Sequence, residues 1–183
     1  MGIEGTASRI YFGELGKLFE RSGYKFSGRT RRPPRDPVNA LLSLGYSLLL
    51  GRVWGIVEAV GFDPYLGFLH SPDYGKPALA LDLMEEWRPV LVDALVLRLL
   101  NWKTLKRTDF TTEPADEDED AGVRLTSVGL KKFLKGFADK LKEEVTYVPT
   151  GRTLKYADIL KEQAYSLARE LKGEGKYQPF EMK

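Results

Sequence analysis

The sequence contains no cysteine and only one histidine, His70, among its 183 residues. Without cysteine the chain can form no disulfide, no thiolate nucleophile and no cysteine-ligated zinc or iron–sulfur centre. A single histidine also excludes a two-histidine metal site. Any metal site in this chain therefore needs carboxylates as its main ligands.

Long apolar runs are missing as well. No uninterrupted apolar stretch approaches the ~20 residues of a membrane span, and the first residues show no signal-peptide pattern. With 43% hydrophobic and 30% charged residues, the composition is typical of a globular chain rather than a disordered one. We expect an intracellular protein without a membrane partner, folded as one domain over residues 1–183.

Charge is unevenly distributed along the chain. Six acids and no basic residue occupy the eight positions from Glu113 to Asp120. The net charge of +2 includes these six acids, so the other 175 residues together carry +8. Like charges this dense repel one another, which predicts a solvated, mobile acidic loop over about residues 108–122. The basic remainder weakly favours a polyanionic partner.

Hydrophobic periodicity predicts an all-α fold with at most a short strand or hairpin. Asp36 followed by Pro37 is a strong helix start, because aspartate caps the free amides and proline suits the first helical position. The only strand we predict covers residues 122–126. The predicted helices span residues 3–22, 37–60, 79–102, 127–145 and 153–172.

The predicted helix over 79–102 contains Pro89, which should kink it. Its apolar residues form one face, and its acids lie on the opposite side, where a solvated surface is the ordinary interpretation. The predicted core face consists of Leu83, Trp87, Val90, Ala94 and Leu97. The acids are Asp82, Glu85, Glu86 and Asp93.

Two places in the sequence could carry chemistry. The segment from Lys25 to Arg35 has five cationic residues in eleven positions, which fits either a solvated linker or a loop that grips phosphates. His70 precedes the acid pair Asp82 and Glu85, whose i, i+3 spacing places both carboxylates on one helix face. One imidazole with carboxylates suits Mg²⁺ or Mn²⁺, although a structural histidine beside a solvated acidic face would show the same pattern.

Several motifs in order make the chain similar to a known family. They are Gly2-Ile-Glu-Gly5 with Arg9 and Tyr11; Arg31-Arg-Pro-Pro followed by Asp36-Pro-Val-Asn-Ala-Leu-Leu-Ser43; Asp63-Pro-Tyr-Leu-Gly-Phe-Leu-His70; Leu81-Asp-Leu-Met-Glu-Glu-Trp-Arg-Pro89; Tyr156 through Gln163; and Tyr177-Gln-Pro-Phe180. This combination resembles the CRISPR-associated integrase, the catalytic subunit of the spacer-acquisition complex, over essentially the whole chain.

The resemblance implies a metal site and a reaction. Glu4, His70 and Glu85 match the family's metal ligands, and Asp82 matches a second acid that supports the site or the DNA end. Catalytic roles thus fall on His70, Asp82 and Glu85, with Mg²⁺ or Mn²⁺ as cofactor. The implied reaction is transesterification, in which a DNA 3′-hydroxyl attacks a phosphodiester at the CRISPR repeat. Cleavage of branched or other DNA is implied too.

The resemblance also implies partners. They are DNA (protospacer duplex, CRISPR repeat and branched DNA), a second copy of the full-length family protein, and the small ferredoxin-fold CRISPR adaptation subunit, all in the prokaryotic cytoplasm. The candidate phosphate contacts are Arg9, Arg29, Arg31, Arg32, Arg35 and Lys76.

One feature departs from the family pattern. Family members carry an N-terminal β-rich domain before the Gly-Ile-Glu-Gly motif, whereas here Met1 directly precedes it. We therefore expect an isolated catalytic lobe with a weak or metal-free site. A catalytically inactive DNA-binding or scaffold lobe is the alternative function.

Overall fold

The structure, a computed structural model, describes residues 3–70, 73–113 and 121–181, apart from the side chains of Ile3, Glu4 and Glu113. Within these ranges helices dominate and the strands form two small antiparallel hairpins, which confirms the predicted mainly α class. The helices are α1 (Ile3–Arg21), α2 (Pro37–Val60), α3 (Ala78–Glu85), α4 (Ala94–Asn101), α5 (Ser127–Lys142) and α6 (Tyr156–Leu171). The strands are β1 (Phe110–Glu113), β2 (Gly122–Leu125), β3 (Glu144–Tyr147) and β4 (Arg152–Lys155).

The chain divides into two compact units. Unit 1 comprises Met1–Gly45 and Asp93–Gly136, and unit 2 comprises Tyr46–Val92 and Phe137–Lys183. The prediction of one domain over residues 1–183 stays a prediction.

Helix α2 begins where the sequence predicts. The Asp36 carboxylate accepts the amide of Asn39 at 2.8 Å, which caps the first turn. Among the described residues, α2 is also the one helix long and apolar enough to cross a membrane by length and composition. Core helices pass the same test, and 44% of this apolar window is buried in the structure.

The predicted helix over 79–102 is broken in the middle. A π-helical stretch, Arg88–Asp93, lies between α3 and α4 and contains Pro89. A π-helix places its hydrogen bonds one residue further along than an α-helix, so the apolar face shifts in register. Leu83 and Trp87 are buried as predicted, but Ala94 is exposed, and Leu91 and Leu95 are buried instead.

Because of the same register shift, the prediction that Asp93 lies on a solvated acidic face is wrong. This residue is buried, and its carboxylate accepts the Tyr11 hydroxyl at 2.5 Å within unit 1. Burial and the neighbouring Asp93 charge raise the pKa of Tyr11 above its ordinary range. A buried Asp93 therefore fixes α1 rather than facing water.

The two hairpins correct several predicted boundaries. Strand β2 confirms the predicted strand, and β1 pairs with it from Phe110↔Leu125 to Glu113↔Gly122. The ends of the predicted acidic loop over about 108–122 are thus ordered, while Asp116–Asp120 lie outside the described residues. The β3–β4 hairpin was not predicted, and it occupies the ends of the helices predicted over 127–145 and 153–172.

Candidate functional site

Asp82 on α3 holds the loop that carries His70. Its carboxylate accepts the backbone amides of Phe68, Leu69 at 2.9 Å and His70 at 3.0 Å. Three amides that converge on one carboxylate fix the backbone of this loop, because each bond to a charged acceptor is roughly twice as strong as a neutral one. The helix and the loop are therefore joined where the candidate ligands lie.

The same carboxylate sets the tautomer of the imidazole. His70 Nδ1 lies 2.6 Å from Asp82 Oδ1. Burial alone would raise the pKa of Asp82, but the hydrogen bonds from Leu69, the His70 ring and the other two amides outweigh it and lower that pKa. Since an ionised Asp82 can only accept, Nδ1 carries a proton, and in the neutral imidazole Nε2 is then the nitrogen with the lone pair.

Glu85 lies on the open side of the ring. His70 Nε2 and Glu85 Oε1 are 4.0 Å apart, and the two side chains are 21% and 37% exposed. Two donors of one octahedral Mg²⁺, each about 2.1 Å from the ion, lie about 3 Å apart when adjacent and about 4.2 Å apart when opposite. The two atoms are therefore close enough for both side chains to reach one hard divalent cation, and a carboxylate holding the other ring nitrogen is common at metal-bound histidines.

The described residues supply only part of a metal centre. No group of three ligand residues able to hold a metal ion occurs among them. Glu4 belongs to α1, but its side chain lies outside the described residues, so its role as third ligand stays a prediction. Asp82 is occupied by the loop amides and Nδ1, so its geometry is that of a positioning residue.

Sequence reasoning missed a cation in the site. Arg88 Nη1 lies 2.8 Å from Glu85 Oε1, and its guanidinium lies 5.2 Å from the centre of the Tyr46 ring. The i, i+3 spacing of Glu85 and Arg88 is visible in the sequence and could have predicted this ion pair. Arg88 holds the Glu85 carboxylate in place and puts a positive charge beside it.

A close approach at Gly67 was also not predicted. A Cβ built there would lie 2.6 Å from Asp82 Oδ2 and 2.7 Å from the Ala78 Cβ. Only glycine allows the loop to approach the start of α3 this closely. The amide bonds to Asp82 depend on that approach.

Glu86, predicted to lie on the solvated face, anchors the C-terminal segment instead. It accepts the Tyr177 hydroxyl at 2.5 Å and the Phe180 amide at 2.8 Å. Burial raises the pKa of Glu86, and these two hydrogen bonds offset only part of that effect. The Phe180 ring stacks on buried Trp87 at 4.3 Å between ring centres. The C-terminal segment thus packs against the residues that directly follow Glu85.

The cationic segment before α2 is ordered around Asn39. The guanidinium of Arg29 donates to the Asn39 side chain at 2.8 Å and to the Ser43 hydroxyl at 3.0 Å. The Asn39 amide donates in turn to the Gly28 carbonyl at 2.9 Å. Arg29 therefore has internal partners in unit 1, and its predicted phosphate contact stays a prediction.

The other predicted phosphate contacts lie at the surface. Val123 donates its amide to the Pro34 carbonyl at 2.8 Å, which holds the cationic segment against the β1–β2 hairpin. The side chains of Arg9, Arg31, Arg32 and Arg35 are exposed, and that of Lys76 is half-buried. Their exposure permits contact with a polyanion, and their individual roles stay predictions.

Comparison with known proteins adds independent observations. Residues 1–139 match the family model of CRISPR associated protein Cas1. A CRISPR-associated endonuclease Cas1 from Thermus thermophilus is 42% identical over 180 residues, which are 98% of this chain and 52% of that protein. The chain therefore spans about half the length of this curated relative.

Solved structures are similar to this chain over nearly its whole length. A casposase bound to its integration product matches 98% of this chain and 50% of its own, with a TM-score of 0.84 and 28% identity. A Cas6-RT-Cas1–Cas2 complex matches with a TM-score of 0.82 and 29% identity over 98% of this chain and 19% of that one. The family model covers well over half of the sequence, so this chain belongs to the CRISPR-associated protein Cas1 family.

Proposed function

We propose that this chain is the helical catalytic lobe of a metal-dependent DNA integrase and endonuclease that acts in CRISPR spacer acquisition. The observation that carries the proposal is the 4.0 Å approach of His70 Nε2 to Glu85 Oε1, with the opposite ring nitrogen held by Asp82. That arrangement brings one imidazole nitrogen and the Glu85 carboxylate together on one side of the ring, where the carboxylate also pairs with Arg88.

His70 and Glu85 would hold Mg²⁺ or Mn²⁺, and Glu4 would be the third ligand on the strength of the family resemblance alone. A bound ion would supply Lewis-acid stabilisation of the negative charge that develops on the phosphoryl oxygens and would activate the attacking oxygen. Asp82 holds the proton on Nδ1, so that Nε2 would be the ring nitrogen that serves as ligand. Arg88, 24% exposed, is placed to attract a phosphate oxygen.

The nucleophile in this proposal is a DNA 3′-hydroxyl, and the bond that breaks joins phosphorus to the neighbouring nucleotide's oxygen. No serine, cysteine or tyrosine of the protein needs to become covalently attached. The absence of cysteine and the single histidine are compatible with such a reaction. Water as the attacking group would give endonuclease cleavage at the same site.

The substrates and partners of the proposal are a protospacer duplex, the CRISPR repeat and branched DNA. A casposase neighbour bound to its integration product supports DNA as substrate, and a neighbour in complex with Cas2 supports the small ferredoxin-fold adaptation subunit as partner. Self-association of the full-length protein and a prokaryotic cytoplasmic location complete the proposal.

Mn²⁺ binding and cleavage of branched DNA, measured together, test this function. We expect His70→Ala and Glu85→Ala each to lower cleavage by at least 100-fold, about 2.7 kcal/mol in transition-state stabilisation, and to weaken Mn²⁺ binding. Glu58→Ala, at an exposed acid of α2, is the matched control and should change neither property.

The same assay separates the inactive scaffold alternative. One observation favours that alternative: the Arg88 guanidinium already pairs with the Glu85 carboxylate at 2.8 Å. A scaffold would bind DNA equally well before and after both substitutions and would show no Mn²⁺-dependent cleavage. Cleavage that persists unchanged in both variants would contradict the proposed active site.

A further inference from the structure

The loop before His70 exposes large apolar side chains. Leu66, Phe68 and Leu69 are 64%, 65% and 78% exposed. Large apolar side chains are favourably removed from water, so three of them close together on the surface mark a contact surface. We call these three residues the apolar loop.

Hydrogen bonds hold the backbone that carries these exposed side chains in place. The amides of Phe68 and Leu69 are both held by Asp82, and Leu66 donates its amide to the Asp63 carbonyl at 3.3 Å. Gly67, between them, has no room for a Cβ beside Asp82 and Ala78. The apolar loop is therefore preformed and cannot turn inward to bury these side chains without breaking the bonds that position His70.

The position of the apolar loop identifies its partner. Phe68 lies two residues before His70, which is at most about 7 Å of extended chain. In duplex DNA one base step rises about 3.4 Å, so the loop reaches no further than about two base steps from a phosphate held at His70. The groups that lie there and offer apolar faces are the nucleobases on either side of that phosphate.

We propose that the apolar loop is a base wedge: Phe68 and Leu69 insert against the bases next to the reacting phosphodiester and unstack them. Phenylalanine and leucine are among the side chains that proteins insert between base steps, and aromatic stacking on bases is indifferent to sequence. The wedge rests on the proposed function, because it takes the phosphate at His70 as its reference point. It gives the site a preference for branched or frayed DNA, in which the bases are already partly unstacked.

Fluorescence of 2-aminopurine tests the wedge without any cleavage. The probe is a branched DNA with 2-aminopurine on each side of the branch-point phosphate, in buffer without divalent ions. We expect the wild-type chain to raise the fluorescence, and Phe68→Ala and Leu69→Ala to abolish most of the rise and to weaken binding about fivefold or more. Phe68→Tyr should restore the signal, because it keeps an aromatic ring.

Leu171→Ala, at another exposed leucine of unit 2, is the matched control and should behave as the wild type does. Full fluorescence change in both Phe68→Ala and Leu69→Ala would overturn the wedge. So would an altered molar mass by light scattering in these variants with unchanged fluorescence, since the loop would then be a protein interface. A retained fluorescence rise in a chain without Mn²⁺-dependent cleavage would support the wedge and contradict only the proposed catalysis.

Discussion

Asp82 and Glu85 lie one helical turn apart and have different tasks. Glu85 faces the free nitrogen of His70, whereas Asp82 binds three loop amides and the protonated ring nitrogen. Groups that orient a metal-binding histidine commonly contribute a factor of about 10–100 in metal affinity or activity. The effect of removing Asp82 should therefore appear first in the imidazole.

Because the chain has one histidine, NMR can observe the tautomer of its imidazole directly. We expect nitrogen-15 spectra of the wild type to show His70 with its proton on Nδ1, and Asp82→Asn to mix the two tautomers and weaken Mn²⁺ binding about 10–100-fold. Asp73→Asn, at an exposed acid after His70, is the control and should leave the spectrum unchanged. An Nε2-protonated ring in the wild type would contradict the account.

Gly67 offers a second test at the residue scale. We expect Gly67→Ala to separate the loop from α3 and to weaken Mn²⁺ binding, since its Cβ would lie 2.6 Å from Asp82 Oδ2. Gly55→Ala on α2 meets no atom within 4 Å and should stabilise the chain by about 0.5–1 kcal/mol through helix propensity. Urea unfolding and Mn²⁺ titration of both variants check the pair. Unchanged Mn²⁺ affinity in Gly67→Ala would be evidence against the close approach.

At the scale of elements, Asp109 joins the β1–β2 hairpin to α5. It is 4% exposed, and its carboxylate accepts Lys132 Nζ at 2.8 and 3.0 Å. Burial alone would raise its pKa, but the bonds from Lys132 and the Lys106 amide outweigh burial and lower it below the ordinary value of 3.8. The pKa of Asp109 is lower in the folded state than in the unfolded state. The ionised carboxylate therefore stabilises the fold fully above pH 3.8, and this stabilisation is lost as the pH falls through the folded-state pKa.

We expect Asp109→Asn to lower the free energy of unfolding by about 2 kcal/mol at pH 7, the range for a hydrogen bond to a charged group. The difference from wild type should shrink below pH 3.8 and vanish once the wild-type carboxyl is protonated. Urea unfolding at pH 7 and at several acidic pH values measures it, with Asp139→Asn at an exposed position of α5 as control. A difference independent of pH would contradict the ion pair.

How well each element could be predicted depended on whether its signal was local. The start of helix α2 was predicted to the residue, because the Asp36 cap and Pro37 act within one turn. The predicted burial of Ala94 was wrong. The prediction assumed a regular α-helix throughout, whereas the π-helical stretch after Trp87 shifts the register of the residues that follow it. The β3–β4 hairpin has only four residues per strand, too few for alternation to outweigh the flanking helical pattern.

The candidate site shows the same division. The sequence alone shows the i, i+3 spacing of Asp82 and Glu85, and it shows that His70 is the single histidine. The hydrogen bonds from the loop amides to Asp82 depend on the close approach of the Gly67 backbone to α3. The pattern of side chains in the sequence does not indicate this approach. Arg29 was predicted to face phosphate from its charge alone, and its partners Asn39 and Ser43 appear only once α2 is in place.

For the whole molecule, the charge distribution predicts how DNA binding responds to salt. Removing one cation that touches a phosphate lowers the slope of log K against log salt by about one. We expect replacement of Arg31, Arg32 and Arg35 by glutamine to lower the slope by up to about 3. Replacement of Lys161, Lys172 and Lys176, exposed in unit 2, removes the same charge and serves as the control. Equal slopes in the two triple variants would show that the cationic segment makes no particular contact with DNA.

Pulsed electron paramagnetic resonance of bound Mn²⁺ tests most directly whether the imidazole of His70 is a metal ligand. Because the chain has one histidine, a nitrogen coupling to the manganese can be assigned without ambiguity. We predict a directly bound nitrogen in the wild type that disappears in His70→Ala and persists in the Glu58→Ala control. Mn²⁺ that binds with the same affinity and without any nitrogen coupling would contradict the account.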